Sequence, residues 1–286
     1  MILVKLAWNN AYHKVNKIIL NLNGKMHEVK KGVINIGDWG RKYQFFPLPD
    51  GNLKDDQLYH NPVDQTLYNI TLSSLFDMSK LSKNFVLVNE GIIGSQDITK
   101  PALLIDDNFP EGSMVTILNI GYIVGKGGHG IPPLVGGKAY NGGDAIRNGY
   151  KFTQIQNFAV IGGGGGGGAT ARGFRIVNNN QITVGLAHGG GGAGEAIGTT
   201  PNGNGAIEAT IETGGKGQTL ANGYTIAGGK GGDLGQNGSL GSVVGLAGDG
   251  SQVGLAGYAI SYPNTQCTPD YLNQGGQLLG INGIKA

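Results

Sequence analysis

The residues that could do chemistry in this chain are mostly glycines. Gly125-Lys126-Gly127-Gly128-His129-Gly130 has the GxGxxG spacing that aims backbone N–H groups at a dinucleotide pyrophosphate, and it follows an apolar run suited to a strand. That chemistry also needs a helix starting at the motif. Ile131-Pro132-Pro133 cannot open one, because the second Pro keeps the residue before it out of helical geometry. No GxxxxGK[ST] occurs either. Gly228-Gly229-Lys230-Gly231-Gly232-Asp233-Leu234 approaches the calcium-binding nonapeptide GGxGxDxUx, whose ligands come from successive copies. The position that should be apolar is Gly235 and no second good copy follows, so calcium binding is not expected.

His13, His27, His60, His129 and His188 have no Cys or His at ligand spacing, so no metal site is expected, and His129 and His188 read as solvated polar residues. Cys267 reads as a packed thiol, since a nucleophile would need a base beside it. With 14% charged residues, no acid–base or nucleophile constellation stands out, and the expectation is a protein without catalytic residues or cofactor.

Recognition chemistry is better represented. The connector Ala171 to Gln181 combines Phe174 with Arg172, Arg175 and four amides, Asn178, Asn179, Asn180 and Gln181. Such a mixture of aromatic anchors and adaptable hydrogen-bonding groups is that of antibody-like binding loops. Weaker candidates are His129 to Val135, Gln218 to Thr225 with Asn222 and Tyr224, and Leu234 to Val244. The alternative for each is a solvated connector. Several loops at one end of a rigid scaffold would make a binding surface.

Composition shows what scaffold positions them. Of 286 residues 55 are Gly, 8 of them in residues 1–120 and 47 in residues 121–286, so the chain has two unlike parts. Sustained Gly-X-Y register is missing, which excludes collagen. Lys+Arg of 21 against Asp+Glu of 19 is balanced in both parts, so no basic field would attract nucleic acid. No run is long and apolar enough to cross a membrane as a helix, and MILVKLAWNN is too short in apolar residues for a signal peptide, so cytoplasmic synthesis without standard export is expected.

Residues 1 to 120 read as a mostly β module. Asn23-Gly24 between the apolar runs 18–22 and 26–36 predicts a hairpin. Leu72, Leu75, Phe76, Met78 and Leu81 have the spacing of one short helix, and 85–88, 102–105 and 114–118 read as strands. Trp39, Tyr43, Phe45 and Phe46 cluster between Asp38 and Pro49, either as this module's core or as an exposed patch for a partner.

From Gly121 to Tyr258 the chain alternates glycine runs with apolar punctuation such as Val160-Ile161, Ile176-Val177, Ile226 and Val243-Val244. A run such as Gly162 to Gly168 alone would be a flexible linker. Regular punctuation predicts order instead. A polyproline-II-type helix leaves every N–H and C=O pointing sideways, and without side chains several such helices approach closely enough to bond laterally. The fold class predicted is a mostly β module followed by a sandwich of polyglycine-II-type helices with exposed loops, and almost no α-helix.

An internal repeat supports this. Thr116 to Gly125 aligns without a gap with Thr153 to Gly162, and loosely with Tyr271 to Gly280. Each copy resembles a short strand turning into a glycine segment. Gly143-Asp144-Ala145-Ile146, Gly257-Tyr258-Ala259-Ile260 and Gly194-Glu195-Ala196-Ile197 share a second motif, which reads as the chain's return to the strand end.

The ordered combination of Phe109 to Gly128, then GGDAI at 142–146, then IGGGGGGG at 161–168 resembles the receptor-recognising adhesins at the distal tip of T-even-type bacteriophage long tail fibres. The resemblance covers about residues 100 to 286. It implies a fibre-attachment module at 1–120, a receptor-binding polyglycine domain at 121–258 and a C-terminal segment, 259–286, returning to the attachment end. It further implies a trimeric fibre shaft as partner with one adhesin per tip, an outer-membrane protein or surface polysaccharide as receptor, a role in host range, and location at the fibre tip of the virion. Candidate receptor contacts are then Pro132, Pro133, Leu134, Arg172, Phe174, Arg175, Asn178, Asn179, Asn180, Asn222 and Tyr224. By position, Trp8, Trp39, Phe45 and Phe46 become candidate shaft anchors. Loops 131–135 and 170–184 are expected at the far end, and loop 198–212, with Asn202 and Asn204, at the attachment end. The reading from composition alone is a glycine-rich structural or matrix protein without receptor binding, which would be expected to carry an export signal.

Overall fold

A computed structural model of the chain describes residues 19–22, 25–28, 32–35, 42–45, 56–79, 82–130, 137–194 and 209–285. It divides into two units, Met1–Leu53 and Lys54–Ala286. In the first, β1 (Ile19–Leu22) pairs antiparallel with β2 (Lys25–Glu28), and Leu22 lies opposite Lys25 with Asn23-Gly24 between them, the hairpin expected from that dipeptide. Strand β3 (Gly32–Asn35) pairs likewise with β4 (Lys42–Phe45). Phe45 ends β4, while Trp8, Trp39 and Phe46 lie outside the described residues.

The second unit is a parallel β-solenoid from which a glycine bundle grows. Its first rung is β5 (Asp56–Asn61), β6 (Thr66–Tyr68) and β7 (Ile70–Thr71), and the second β8 (Asn84–Asn89), β9 (Ile92–Gly94) and β10 (Leu103–Ile105). The third is β11 (Met114–Asn119), β12 (Tyr122–Val124) and β13 (Ile146–Asn148), and the fourth opens with β14 (Thr153–Asn157) and β15 (Val160–Gly162). Six strands of an inserted tip follow: β16 (Ala171–Val177), β17 (Asn180–Ala187), β18 (Thr219–Ala221), β19 (Thr225–Ala227), β20 (Ser242–Val244) and β21 (Ala247–Gly250). Then β22 (Tyr258–Tyr262) completes the fourth rung, and β23 (Asp270–Asn273), β24 (Gln277–Leu279) and β25 (Ile281–Ile284) make the fifth. Corresponding strands stack into three five-stranded parallel sheets. Strands from residues 56–124 and 258–284 therefore share the same sheets, and residue 120 falls between two strands of one rung.

Alternate residues point inward and stack rung on rung. Leu87, Ile117 and Ile155 align in one column and Ile93, Ile123 and Ile161 in another, all fully buried. Each such side chain contributes about 1.5–3 kcal/mol relative to exposure. This packing sets a register one residue away from the gapless sequence alignment: Thr153 pairs with Val115, not Thr116, and in the looser copy Tyr271 pairs with Ile155, two residues beyond Thr153. A strand's faces alternate with period two, so a one-residue slip would turn Ile117 and Ile155 outward. The Gly-x-Ala-Ile copies do pair as their sequences suggest, Ile146 with Ile260, while 195–197 lie outside the described residues.

Correct register also aligns four asparagines. Asn61, Asn89, Asn119 and Asn157 end the first strand of successive rungs and are fully buried. Asn61 Nδ2 donates to Asn89 Oδ1 at 2.7 Å, Asn89 Nδ2 to Asn119 Oδ1 at 2.8 Å, and Asn119 Nδ2 to Asn157 Oδ1 at 2.8 Å. Each amide also donates to a carbonyl beyond the following corner, as Asn119 does to Val160 at 3.1 Å. Corners are tight: a Cβ on Gly121 would lie 2.1 Å from the Gly91 carbonyl oxygen.

The expected helix after Thr71 shrinks to a single 3-10 turn, Leu72–Leu75, beyond which Phe76 is extended. Phe76 instead packs edge-on to Phe85 and Phe109, with ring centroids 5.3 and 6.3 Å away. Tertiary burial of the ring overrides the local spacing. No α-helix occurs among the described residues.

The glycine segments continue β12 and β15 outward. Around Gly162 to Ala169 six backbone segments are hydrogen bonded. Gly125 N–H donates to Gly162 O at 3.0 Å and Gly128 N–H to Gly165 O at 2.8 Å, so 125–130 runs parallel to the central segment, as does 235–239. Segments 140–143, 190–193, 229–232 and 254–257 run the other way, for example Gly164 N–H to Gly143 O at 2.8 Å and Gly167 N–H to Tyr140 O at 3.0 Å. Neighbours recur every third residue. A Cβ on Gly163 or Gly166 would sit 2.0 Å from the carbonyls of Gly257 and Gly254, on Gly164 or Gly167 within 2.1 Å of those of Lys126 and His129, and on Gly165 or Gly168 within 2.2 Å of those of Gly232 and Gly229. No side chain fits from Gly163 to Gly168. The glycines are needed for close backbone approach, not for flexibility.

Candidate functional site

Strand direction decides which connections meet. Segments 125–130, 162–168 and 235–239 leave the solenoid and 140–143, 190–193, 229–232 and 254–257 return to it. The connections 169–188, 218–227 and 240–251 therefore lie together at the far end, where they build two three-stranded antiparallel sheets, β17-β16-β21 and β18-β19-β20. At the solenoid end, Tyr122 in β12 donates its hydroxyl to Glu212 at 2.7 Å, which brings 209–213 beside the rungs. That hydrogen bond, with burial and the carboxylate's charge, raises the Tyr122 hydroxyl above its ordinary pKa. Asn202 and Asn204 lie outside the described residues.

The far-end sheets are joined by a small buried cluster, Ala171 in β16, Ala187 in β17 and Ile226 in β19, of which Ile226 is the largest side chain. It covers Gly173 and Gly185, where added Cβ atoms would lie 2.5 and 3.0 Å from its Cδ1. Leu220, Tyr224, Val243 and Leu246 pack around it. Tyr224 is thus partly buried in the tip's own core, and Asn222, beside Gly223 at φ +68°, is exposed on the β18–β19 turn.

Ala171 to Gln181, read from sequence as a connector, is most of a β-hairpin. Asn178 and Asn179 form its two-residue turn with φ of 52° and 64°, and Val177 pairs with Asn180 across it. Asparagine is the non-glycine residue that tolerates this left-handed geometry best. Phe174 is buried, 8% exposed, with the Arg172 guanidinium 5.2 Å from its ring centroid. Arg172 Nε donates to Asp249 Oδ1 at 2.8 Å, a second bond joins Nη2 to Asp249 Oδ2, and Gln181 accepts another at 3.2 Å. Hydrogen bonding to Asp249 raises the guanidinium's already high pKa. Phe174 and Arg172 therefore brace β16 against β21 instead of facing outward. The open surface is made by Arg175, Ile176, Val177, Asn178, Asn179, Asn180 and Ile182, with Leu240 and Val244 exposed on the neighbouring connection. Ile176, Leu240 and Val244 are 64, 72 and 64% exposed. Pro132, Pro133 and Leu134 lie outside the described residues.

A family model described as "Phage tail fibre adhesin Gp38" matches residues 59–282, from the first rung of the solenoid through the tip to the last strand. The chain belongs to that family. No curated protein and no solved structure matches it. As a tail fibre adhesin it is a virion component serving attachment to the host surface and tail fibre assembly.

In the adhesin the motifs that imitate nucleotide and calcium sites are backbone contacts. Gly125 and Gly128 spend their N–H groups on Gly162 and Gly165, and a Cβ on Gly128 would lie 2.1 Å from Tyr140 O. Asp233 accepts from Lys230 Nζ and Gly214 N, both at 2.8 Å. Burial pushes its carboxyl pKa up, but these two donors outweigh that and hold it below the ordinary value. His129 is also lowered, by burial and by Lys126, and its ring meets Tyr140 edge-on at 5.9 Å. Among the described residues no cluster of His, Cys, Asp or Glu has metal-site geometry.

Proposed function

We propose that this adhesin sits at the distal tip of a long tail fibre, one copy per trimeric shaft, and that the far-end hairpins bind an outer-membrane protein or surface polysaccharide and set host range without catalysis. The observation that carries this is the gathering of three long connections, 169–188, 218–227 and 240–251, at the end of the glycine bundle away from the solenoid. The bundle itself is read as a polyglycine-II-type sandwich. Its support is the three-residue recurrence of neighbours around 163–168, the period of a helix with three residues per turn and no internal hydrogen bonds. Such a slab holds loops at a fixed distance from the solenoid, so loop sequence can vary without altering the scaffold.

Contact residues are drawn from the exposed set, Arg175, Ile176, Asn178, Asn179, Asn180, Ile182 and Asn222, with Arg172, Phe174 and Tyr224 supporting them, and Pro132, Pro133 and Leu134 remain candidates from sequence alone. Residues 1–120, with Trp8, Trp39, Phe45 and Phe46 as candidate anchors, take the shaft side. Exchanging residues 170–184 for the corresponding hairpin of a family member with a different host tests the reading. Altered adsorption with retained fibre assembly is expected, and unchanged host range with unchanged adsorption would remove the hairpin from the binding surface.

A further inference from the structure

Asparagine followed by glycine can react with its own backbone. Glycine has no Cβ to shield its amide nitrogen, so that nitrogen can reach the asparagine Cγ wherever neither group is held elsewhere. Among the described residues this pair occurs at 141–142, 148–149, 222–223, 237–238 and 282–283. Four of the five are held. Asn141 Oδ1 accepts from Leu255 N at 2.9 Å, and Gly142 N donates to Leu255 O at 2.8 Å. Asn237 Oδ1 accepts from Ala256 N at 2.8 Å, and Gly238 N donates to Gly254 O at 3.0 Å. Asn148 is fully buried and donates to Cys267 O at 2.7 Å, while Gly149 N donates to Ile105 O at 2.6 Å. Asn282 and Gly283 lie in β25, where Lys285 N donates to Tyr262 O at 3.1 Å. Alternation along a parallel ladder then turns Gly283 N toward β22 as well.

Asn222-Gly223 is different. It lies in the turn between β18 and β19, where Ala221 pairs with Thr225, and both residues are exposed. Asn222 commits its main-chain N–H to Tyr224 O at 3.0 Å. Among the described residues neither its side-chain amide nor Gly223 N–H has a hydrogen-bond partner. Gly223 has φ +68°, and a Cβ there would meet nothing within 4 Å, so water reaches the turn.

We propose that Asn222 is a site of spontaneous deamidation, a covalent change at the far end that needs only water. Gly223 N bonds to Asn222 Cγ, the bond from Cγ to Nδ2 breaks, and ammonia leaves with the proton from Gly223. Water then opens the cyclic imide. Attack at Cγ gives aspartate, and attack at the main-chain carbonyl carbon gives isoaspartate, whose backbone runs through Cγ. One water is consumed, one ammonia is released, and nothing is oxidised or reduced. Either product carries a carboxylate that is ionised at neutral pH. In 169–188, 218–227 and 240–251 the Lys, Arg, Asp and Glu residues are Arg172, Arg175 and Asp249, and Arg172 holds Asp249. Conversion therefore puts an unpaired negative charge on this end of the molecule. Its effect on host attachment rests on the far end being the receptor-binding face, whereas the chemistry does not.

Incubating the full-length adhesin in mildly alkaline buffer, with and without urea, and mapping tryptic peptides by mass spectrometry tests this. Peptides 217–230 and 139–147 each contain a single asparagine, Asn222 and Asn141, and fragmentation separates Asn222 from Gln218. In the folded protein Asn222 should convert about tenfold or more faster than Asn141, because a held site reacts only after local opening. In urea the two rates should converge. Asn222→Gln should abolish conversion at that position, since the longer side chain closes its ring slowly. Folded adhesin in which Asn222 keeps its amide, or converts no faster than Asn141 while both convert in urea, overturns the assignment. Asn222→Asp, which reproduces one product, should adsorb to host cells more weakly than Asn222→Gln. Equal adsorption of those two variants overturns the consequence for attachment and leaves the modification site standing on the peptide masses.

Discussion

Asn89 Nδ2 lies 2.8 Å from Asn119 Oδ1, and both amides are fully buried between rungs of the solenoid. Asn119 is at once the acceptor for one rung and the donor for the next, so its removal orphans two partners. Asn119→Ala should destabilise the solenoid by about 2–4 kcal/mol, more than the loss of one ordinary hydrogen bond, because buried amide groups are left unpaired. Urea unfolding followed by far-UV circular dichroism measures this, and a cost below about 0.5 kcal/mol would mean that the ladder adds nothing beyond shape.

Gly165 tests the bundle. Its added Cβ would lie 2.0 Å from Gly232 O, which is backbone and cannot swing aside. Gly165→Ala should already lower the melting temperature, and Gly165→Val should cost several kcal/mol, on the order of 3 or more, by separating segments and breaking lateral hydrogen bonds. The usual gain in helix or chain stiffness from Gly→Ala has the opposite sign. A raised or unchanged melting temperature for the alanine variant would therefore contradict close backbone packing.

At the tip, burial separates two classes of variant. Ile176→Asn and Ile182→Asn change side chains that are 64 and 52% exposed, so folding should be retained while adsorption to host cells weakens by about 1–3 kcal/mol each if they are central contacts. Phe174→Ala should instead loosen the hairpin by about 3 kcal/mol, the scale of an emptied aromatic site. Thermal melts alongside adsorption rates distinguish these outcomes. Loss of binding by Phe174→Ala with an unchanged melt would return Phe174 to the contact surface.

Cys267 links stability to alkaline pH. Burial raises its thiol pKa above the ordinary 9.0, with a smaller push from the negative charge of Asp107. The folded state thus holds the proton more tightly than the unfolded chain. The thiol's contribution is fully present below pH 9.0 and declines as pH rises from there through the folded pKa. Cys267→Ala should flatten the fall in urea midpoint as pH rises above about 9. Tyr122 has the same sign through its bond to Glu212, beginning from its ordinary 10.0, so it remains in both proteins and cancels in the comparison. An identical slope in the variant would place the alkaline loss elsewhere.

Much of the architecture is carried by local sequence. Asn23-Gly24 marks a hairpin because few residue pairs accept its turn geometry, and the glycine runs mark close backbone approach because any side chain would intrude. Gly143-Asp144-Ala145-Ile146 and Gly257-Tyr258-Ala259-Ile260 mark returns to a common sheet, where Ile146 and Ile260 pair. The direction of the chain through those runs was enough to expect loop 170–184 at the far end. Tertiary structure decided what repetition leaves open. Thr116 and Thr153 match as letters, yet Ile117 and Ile155 must share the interior, and that requirement fixes the register that brings Asn119 onto Asn157. Phe174 resembles an exposed anchor until Arg172, held by Asp249 across β16 and β21, covers its ring, while Ile176 and Ile182 stay exposed. In both cases the deciding contact joins residues distant in the chain, and local preference carries no record of which distant neighbour will exclude water from a given side.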